Sequence, residues 1–234
     1  DDRMLYASFA RGFRSGGFNA PGLPGFRTEI VDTAEAGVKA RLADGRFSAS
    51  GAFYYSFVDD FQFFFLDLMT GQNIANLESV HIYGFELETR YAPARGLDVY
   101  ASAGTANSKI RDSSLFPGFT GNHTPKSTDY TFNAGAQWRT PLARGLQAFL
   151  RIDYARRGER FWQVDNLDIQ EPVNLINLRA GVEGDGWGLY FTGENVAGED
   201  YYTDFNPSNY SGLGYDIGFL GQPSRFGVEA RARF

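Results

Sequence analysis

Apolar and polar residues alternate along most of this chain. In the last stretch, "RFGVEARARF" (225–234), Phe226, Val228, Ala230, Ala232 and Phe234 fall on one side. Gly227, Glu229, Arg231 and Arg233 fall on the other. Successive side chains leave opposite faces of a strand, so this pattern predicts one apolar and one charged face. It recurs around 145–155, where Leu146, Ala148, Leu150, Ile152 and Tyr154 oppose Gln147, Arg151 and Asp153. Around 34–42, Ala34, Ala36, Val38, Ala40 and Leu42 oppose Glu35, Lys39 and Arg41. No helical period competes over any long window. Ten strands are predicted, near 4–13, 28–42, 46–66, 74–92, 96–110, 125–139, 145–161, 172–183, 187–201 and 224–234.

The connections alternate in length. "LADGRF", "APARGL", "RTPLARGL" and "EGDGW" are short and carry Gly, Pro or Asp-Gly turn chemistry. The others, near 14–27, 67–73, 111–124, 162–171 and 202–223, are mostly long and rich in Gly, Ser, Asn and Pro. In an up-and-down antiparallel sheet, alternate connections lie at the same end. One end is therefore expected to carry tight turns and the other large loops. That polarity, with apolar-out and polar-in strands, belongs to a transmembrane β-barrel of the outer membrane. Several predicted strands exceed the roughly 9–11 residues a bilayer crossing needs, so they should project beyond the membrane on the loop side. The fold class expected is all-β, an antiparallel up-and-down transmembrane β-barrel.

Composition narrows the function. A formal charge of −6 argues against a nucleic-acid partner. Cysteine is absent and the two histidines, His81 and His123, are far apart in sequence, so no metal centre or cofactor is expected. Aromatic residues make up 16% of the chain, as interface girdles require. No apolar run is long enough for a transmembrane helix. The opening "DDRMLYASFA" has no signal-peptide pattern, so the chain is expected to be mature or a piece of a longer one.

Five segments in order, "LYASFARGFRSGGFN" (5–19), "EIVDTAEAGVKARLADGRFSASGAFYYSFVDDFQ" (29–62), "HIYGFELETRYAP" (81–93), "GLYFTGENVAGEDYYTDFNP" (188–207) and "PSRFGVEARARF" (223–234), resemble the carboxy-terminal part of TonB-dependent outer-membrane receptors. The resemblance covers nearly the whole chain. It implies the last ten strands of a barrel of about twenty-two, whose lumen holds an N-terminal plug domain missing from this sequence. It also implies uptake of a scarce ligand, most often a ferric siderophore, energised by TonB through the missing N-terminus. A self-contained ten-strand pore or adhesin is the alternative. As an isolated piece, the chain should expose its first and last strand edges and aggregate.

Several stretches carry candidate chemistry. "FARGFRSGGFNAPGLPGFR" (9–27) invites a phosphate-loop reading, but Gly17 is followed by Phe18 and Asn19 rather than Lys and Ser or Thr. Pro21 and Pro24 forbid the helix a dinucleotide site needs. Arg11, Phe13 and Arg14 remain as ligand contacts, or as partners of lipopolysaccharide phosphates or lumen carboxylates. The run "FQFFFLDLM" (61–69) breaks the alternation. It reads as a rim packed on neighbouring loops, or as an aromatic wall with Phe64 facing a ligand. "YARRGERFWQ" (154–163) offers Arg157 and Trp162, either as a girdle with basic anchors or as an anionic-ligand site. Tyr201 opens a tyrosine-rich loop suited to recognition. No acid–base pair is singled out, so no enzyme activity is expected. Phe226, Val228 and a terminal Phe234 resemble the signal read by the outer-membrane assembly machinery.

Overall fold

The computed structural model describes residues 2–67, 71–114 and 116–232. Strands β1 (Asp2–Arg14), β2 (Glu29–Leu42), β3 (Phe47–Asp67), β4 (Gly71–Ala94), β5 (Leu97–Thr105) and β6 (Asn107–Asp112) open the chain. Next come β7 (Tyr130–Pro141), β8 (Gln147–Arg157), the short β9 (Arg160–Phe161) and β10 (Ile169–Gln170), β11 (Val173–Gly184) and β12 (Trp187–Glu194). The chain closes with β13 (Tyr202–Asn206), a one-turn helix α1 (Ser208–Ser211), β14 (Ile217–Leu220) and β15 (Arg225–Ala232).

The main sheet runs β1-β2-β3-β4-β5-β7-β8-β11-β12-β15, every pair antiparallel. This is the ten-strand meander expected from the alternation. β9–β10 and β13–β14 are small hairpins inside loops. β1 and β15 each pair on one side only among the described residues.

β5 and β6 are one strand in a single register, interrupted at Ala106. Glu86 faces Gly104, and three residues on along β4 Tyr83 faces Asn107. At the break, Ala106 N–H turns away to Asp129 O at 2.9 Å. Thr105 O swings over Gly84 and accepts the Tyr54 hydroxyl at 2.8 Å. A Cβ at Gly84 would overlap that carbonyl.

The two faces differ as the pattern requires. Leu5 and Phe9 on β1 are 83% and 70% exposed, and Phe53, Leu150, Leu189 and Val228 share their face. Among the described residues this apolar face stays exposed, the pattern of the lipid-facing side of an outer-membrane barrel. Phe47 and Tyr91, 6.2 Å apart, lie with Trp138 and Trp187 near the short turns. Tyr55, Phe57 and Tyr83 form the belt nearer the loops. From Phe47 to Phe57 is ten residues along β3. At about 3.4 Å per residue and about 40° of tilt this spans roughly 26 Å, close to the height of an outer-membrane apolar band. The opposite face carries ion pairs: Arg90–Asp98 at 2.8 Å, Arg179–Glu229 at 2.9 Å and Arg151–Asp153 at 2.7 Å. Arg139, Arg151, Arg179 and Arg231 line a concavity of about 430 Å³ on it, so the polar face is the inner one.

Four limits differ from those expected; the strand over 125–139 begins only at Tyr130. The strand expected over 187–201 ends at Glu194, because Asn195 takes a positive φ of 46° and starts a tight turn. The strand over 145–161 ends at Arg157 and resumes as β9. The 67–73 connection is not a long loop: β3 and β4 pair out to Asp67 and Gly71, and residues 68–70 lie outside the described residues. The unbroken apolar run has a packing reason. Phe63 is buried edge-on to Phe116 at 5.9 Å, so this extension is covered by a neighbouring loop. The side chains of Phe65 and Leu66, and all of Leu68 and Met69, lie outside the described residues.

Above the wall, the loops build their own apolar core. Val58, Phe63, Leu77 and Val80 from the β3–β4 extension pack with Ile110 and Val164, and Phe119 and Tyr210 close over them.

Candidate ligand-capture surface

Loops that meet over a barrel mouth must satisfy backbone groups that no ladder serves. Here four asparagines do so in the same way. Asn19 accepts from Ile74 N at 2.9 Å and donates to Ile74 O at 2.9 Å. Asn76 does the same with Arg27, at 2.7 and 3.2 Å. Asn166 does it with His123, at 2.7 and 3.0 Å, and Asn195 with Glu199, at 2.9 and 2.8 Å. Each carboxamide copies the two hydrogen bonds of a neighbouring strand while fixing one residue. Gln62 adds a hub: its Nε2 lies 3.3, 3.0 and 2.9 Å from the carbonyls of Arg14, Ser15 and Arg27. The opening loop is thereby stitched to the β3–β4 extension. Its glycines serve close approach: a Cβ at Gly16 would sit 2.6 Å from Phe26 O.

His123 is the titratable member of this loop system. Its ring stacks on Phe161 at 5.0 Å, and Nδ1 lies 3.3 Å from Asp129 without hydrogen-bond geometry. Burial holds its pKa below the ordinary histidine value; Asp129 and Glu159 pull upward and Lys109 pushes down further. A depressed histidine pKa means that the opened loop binds the proton better. Loop stability is then full above about pH 6.5, the unperturbed value, and falls as the pH drops through the folded pKa. Hydrogen exchange of 121–129, corrected for intrinsic rates, should therefore speed up from pH 7 to pH 5. His123→Gln should abolish that dependence; an unchanged dependence would exclude this histidine as its source.

The predicted ligand residues separate by face. Arg11 and Phe13 point to the lipid side. Arg11 Nε meets Asp32 Oδ1 at 2.6 Å, and Phe13 is 76% exposed beside Leu5 and Phe9. Both therefore leave the ligand-channel set, because their parity along β1 is that of the apolar face. Arg14 is on the inner face, 3.7 Å from Glu29. Trp162 is also removed. It is 2% exposed, packed on Phe205 at 6.2 Å and covered by Arg160 at 5.5 Å, so its ring is a support. Phe64 is half-buried with Lys126 Nζ 5.4 Å from its ring centre.

Arg157 and Tyr201 come together. With Thr128, Arg160, Gln170 and Tyr202 they line one depression at the loop end of β8 and β11. The adjacent Arg156 faces outward, bound to Tyr130 Oη and Asn174 Oδ1, each at 2.9 Å. The basic run thus splits into an interface anchor and an inward cation. Phe226 and Val228 lie on the lipid face, Phe226 stacked on Phe191 at 6.0 Å. Phe234 lies outside the described residues.

A two-belted antiparallel wall with a polar lumen and folded loops at one end is that of an outer-membrane β-barrel receptor. Residues 1–196 match the family model "TonB dependent receptor-like, beta-barrel", and the chain belongs to that family. It is a family of outer-membrane transport receptors rather than enzymes. The fold is similar to the ferric yersiniabactin uptake receptor FyuA from Yersinia pestis: TM-score 0.85, 20% identity, covering 100% of this chain and 35% of that one. It is similar to BauA, the ferric preacinetobactin receptor from Acinetobacter baumannii: TM-score 0.73, 15% identity, covering 98% and 34%. The copper transporter OprC gives a TM-score of 0.74 at 14% identity, covering 99% and 37%. The chain spans about a third of the length of these structures.

Proposed function

We propose that this chain forms part of the wall and outer loops of an active-transport receptor that captures a ferric siderophore complex. The observation that carries this reading is the clamped loop assembly over a charged inner wall. It is a stable outer surface whose inward residues include Arg14, Arg157 and Tyr201. FyuA and BauA, which the fold resembles, are receptors for ferric siderophores. In the complete receptor the inner arginines and carboxylates would face a plug domain. Transport would be driven by TonB through a segment outside this chain. Phe226, Val228 and Phe234 would be read by the outer-membrane assembly machinery. Arg11 and Arg156, at the lipid side of the loop end, would meet lipopolysaccharide phosphates there.

The test is uptake of radioactive iron, supplied as a panel of ferric siderophores, by cells with and without the receptor. Uptake of at least one complex should require both the receptor and TonB. Uptake indifferent to the receptor would overturn the reading. Receptor-dependent leakage that ignores TonB would favour the pore alternative.

A further inference from the structure

Most cations on the inner wall have carboxylate partners; two at the loop end do not. Arg157 has neither an ion pair nor a side-chain hydrogen bond among the described residues. Arg160 directs Nε and Nη2 at Thr128 Oγ1, both at 3.3 Å, and its remaining N–H groups have no acceptor among the described residues. The acidic charge that acts on Arg160, Asp204, is held by Lys126 at 2.8 Å. Arginines lacking a partner are unremarked where water reaches them. Arg160 is half-buried, with the Trp162 ring on one side and a second cation beside it. Burial, and then the Arg157 charge, hold its pKa below the ordinary arginine value. A half-buried cation with a second, exposed cation beside it costs free energy unless an anion offsets them.

The surroundings fit an anion. Tyr201 and Tyr202 line the depression, and their hydroxyls have no hydrogen-bond partner among the described residues. Gln170 fixes this edge, its Oε1 accepting from Tyr202 N at 2.9 Å. The enclosed space is about 10 Å³, room for about one oxygen-sized group. Exposed Arg157 and Tyr202 extend the surface beyond it. Two of its lining residues, Arg157 and Val173, have the parity of the inner face, and the outward-facing Arg156 is already satisfied by Tyr130 and Asn174. A lipid headgroup is therefore the wrong source.

We infer that Arg157 and Arg160, with Tyr201 and Tyr202, form a seat for one anionic oxygen of a metal chelate, a catecholate or carboxylate oxygen carrying net negative charge. The inference rests on the transport reading for the identity of the chelate, but not for the anion seat itself. Guanidinium groups suit such oxygens because their N–H fork matches them geometrically. Trp162 below and Thr128 beside hold Arg160 in place.

The experiment uses the intact receptor in outer membranes and two iron probes, an anionic ferric tris-catecholate and a neutral ferric tris-hydroxamate. Arg157→Gln with Arg160→Gln should weaken the anionic probe by about tenfold or more, as expected for lost charge-assisted hydrogen bonds. The neutral probe should be unaffected, and Arg160→Lys alone should retain part of the affinity. Equal loss of both probes, or loss of neither, would overturn the seat. In parallel, arginine-directed dione labelling is read at Arg157 and Arg160 with and without inorganic phosphate. Protection by phosphate in a receptor that binds neither iron probe would keep the anion seat and remove the siderophore reading. No protection by phosphate or by the catecholate probe would remove the seat.

Discussion

Gly84→Ala is expected to abolish assembly of the wall. The added methyl would overlap the Thr105 carbonyl and approach the Tyr54 hydroxyl, which accept and donate one hydrogen bond between them. The obstructing atom is backbone, held where β5 passes into β6, so it cannot rotate away as a side chain would. The cost should reach or exceed the roughly 1–3 kcal/mol of ordinary overpacking. The readout is the heat-modifiable band of the refolded barrel, expected to be lost in Gly84→Ala and kept in Gly51→Ala. Gly51 lies in the same wall, and its nearest contact from an added Cβ is 3.7 Å. A normal band for Gly84→Ala would mean that the break at Ala106 yields easily.

The second large effect is Asn76→Asp. Asn76 is buried; its Nδ2 serves the carbonyls of Arg27 and Asp60 and its Oδ1 serves Arg27 N. The substitution replaces a double donor by an acceptor and brings a negative charge against two carbonyl oxygens. Leaving buried polar groups unsatisfied costs about 1–3 kcal/mol each. Residues 15–28 should exchange amide hydrogens about tenfold to a thousandfold faster, while the strands below Tyr83 stay protected. Unchanged protection of 15–28 would mean that Gln62 and Asn19 hold the loop alone.

The wall was legible because a strand writes its environment into every second residue. Phe226, Val228, Leu150 and Val38 sit where the alternation put them. The same parity places Arg11 and Phe13 with Leu5 and Phe9 on the lipid side, one of the two faces left open for that cluster. Trp162 could not have been placed. Its burial depends on Phe205 and Arg160, neither of which shares a strand with it. The long-range clamps of Asn19, Asn76 and Asn166 were equally invisible, since a side chain pairing with backbone 43 to 55 residues away leaves no period. Only the abundance of Asn in the loops hinted at them. Arg157 and Tyr201 were each singled out by composition, but that they line one depression with Arg160 needed the folded loops.

The clamps have a consequence for how such a surface diversifies. A ladder ties many residues to a fixed register, so an insertion disturbs every pair beyond it. A carboxamide that grips one distant residue ties only its two ends. Doubling the chain between two such grips costs roughly 0.6 kcal/mol of closure entropy, less than the roughly 1–3 kcal/mol its two hydrogen bonds are worth. Segments between the grips of Asn19, Asn76 and Asn166 can thus change length and composition with the grips left in place. New ligand preferences can then arise by insertion, deletion and recombination in the outer loops while the barrel beneath is inherited unchanged.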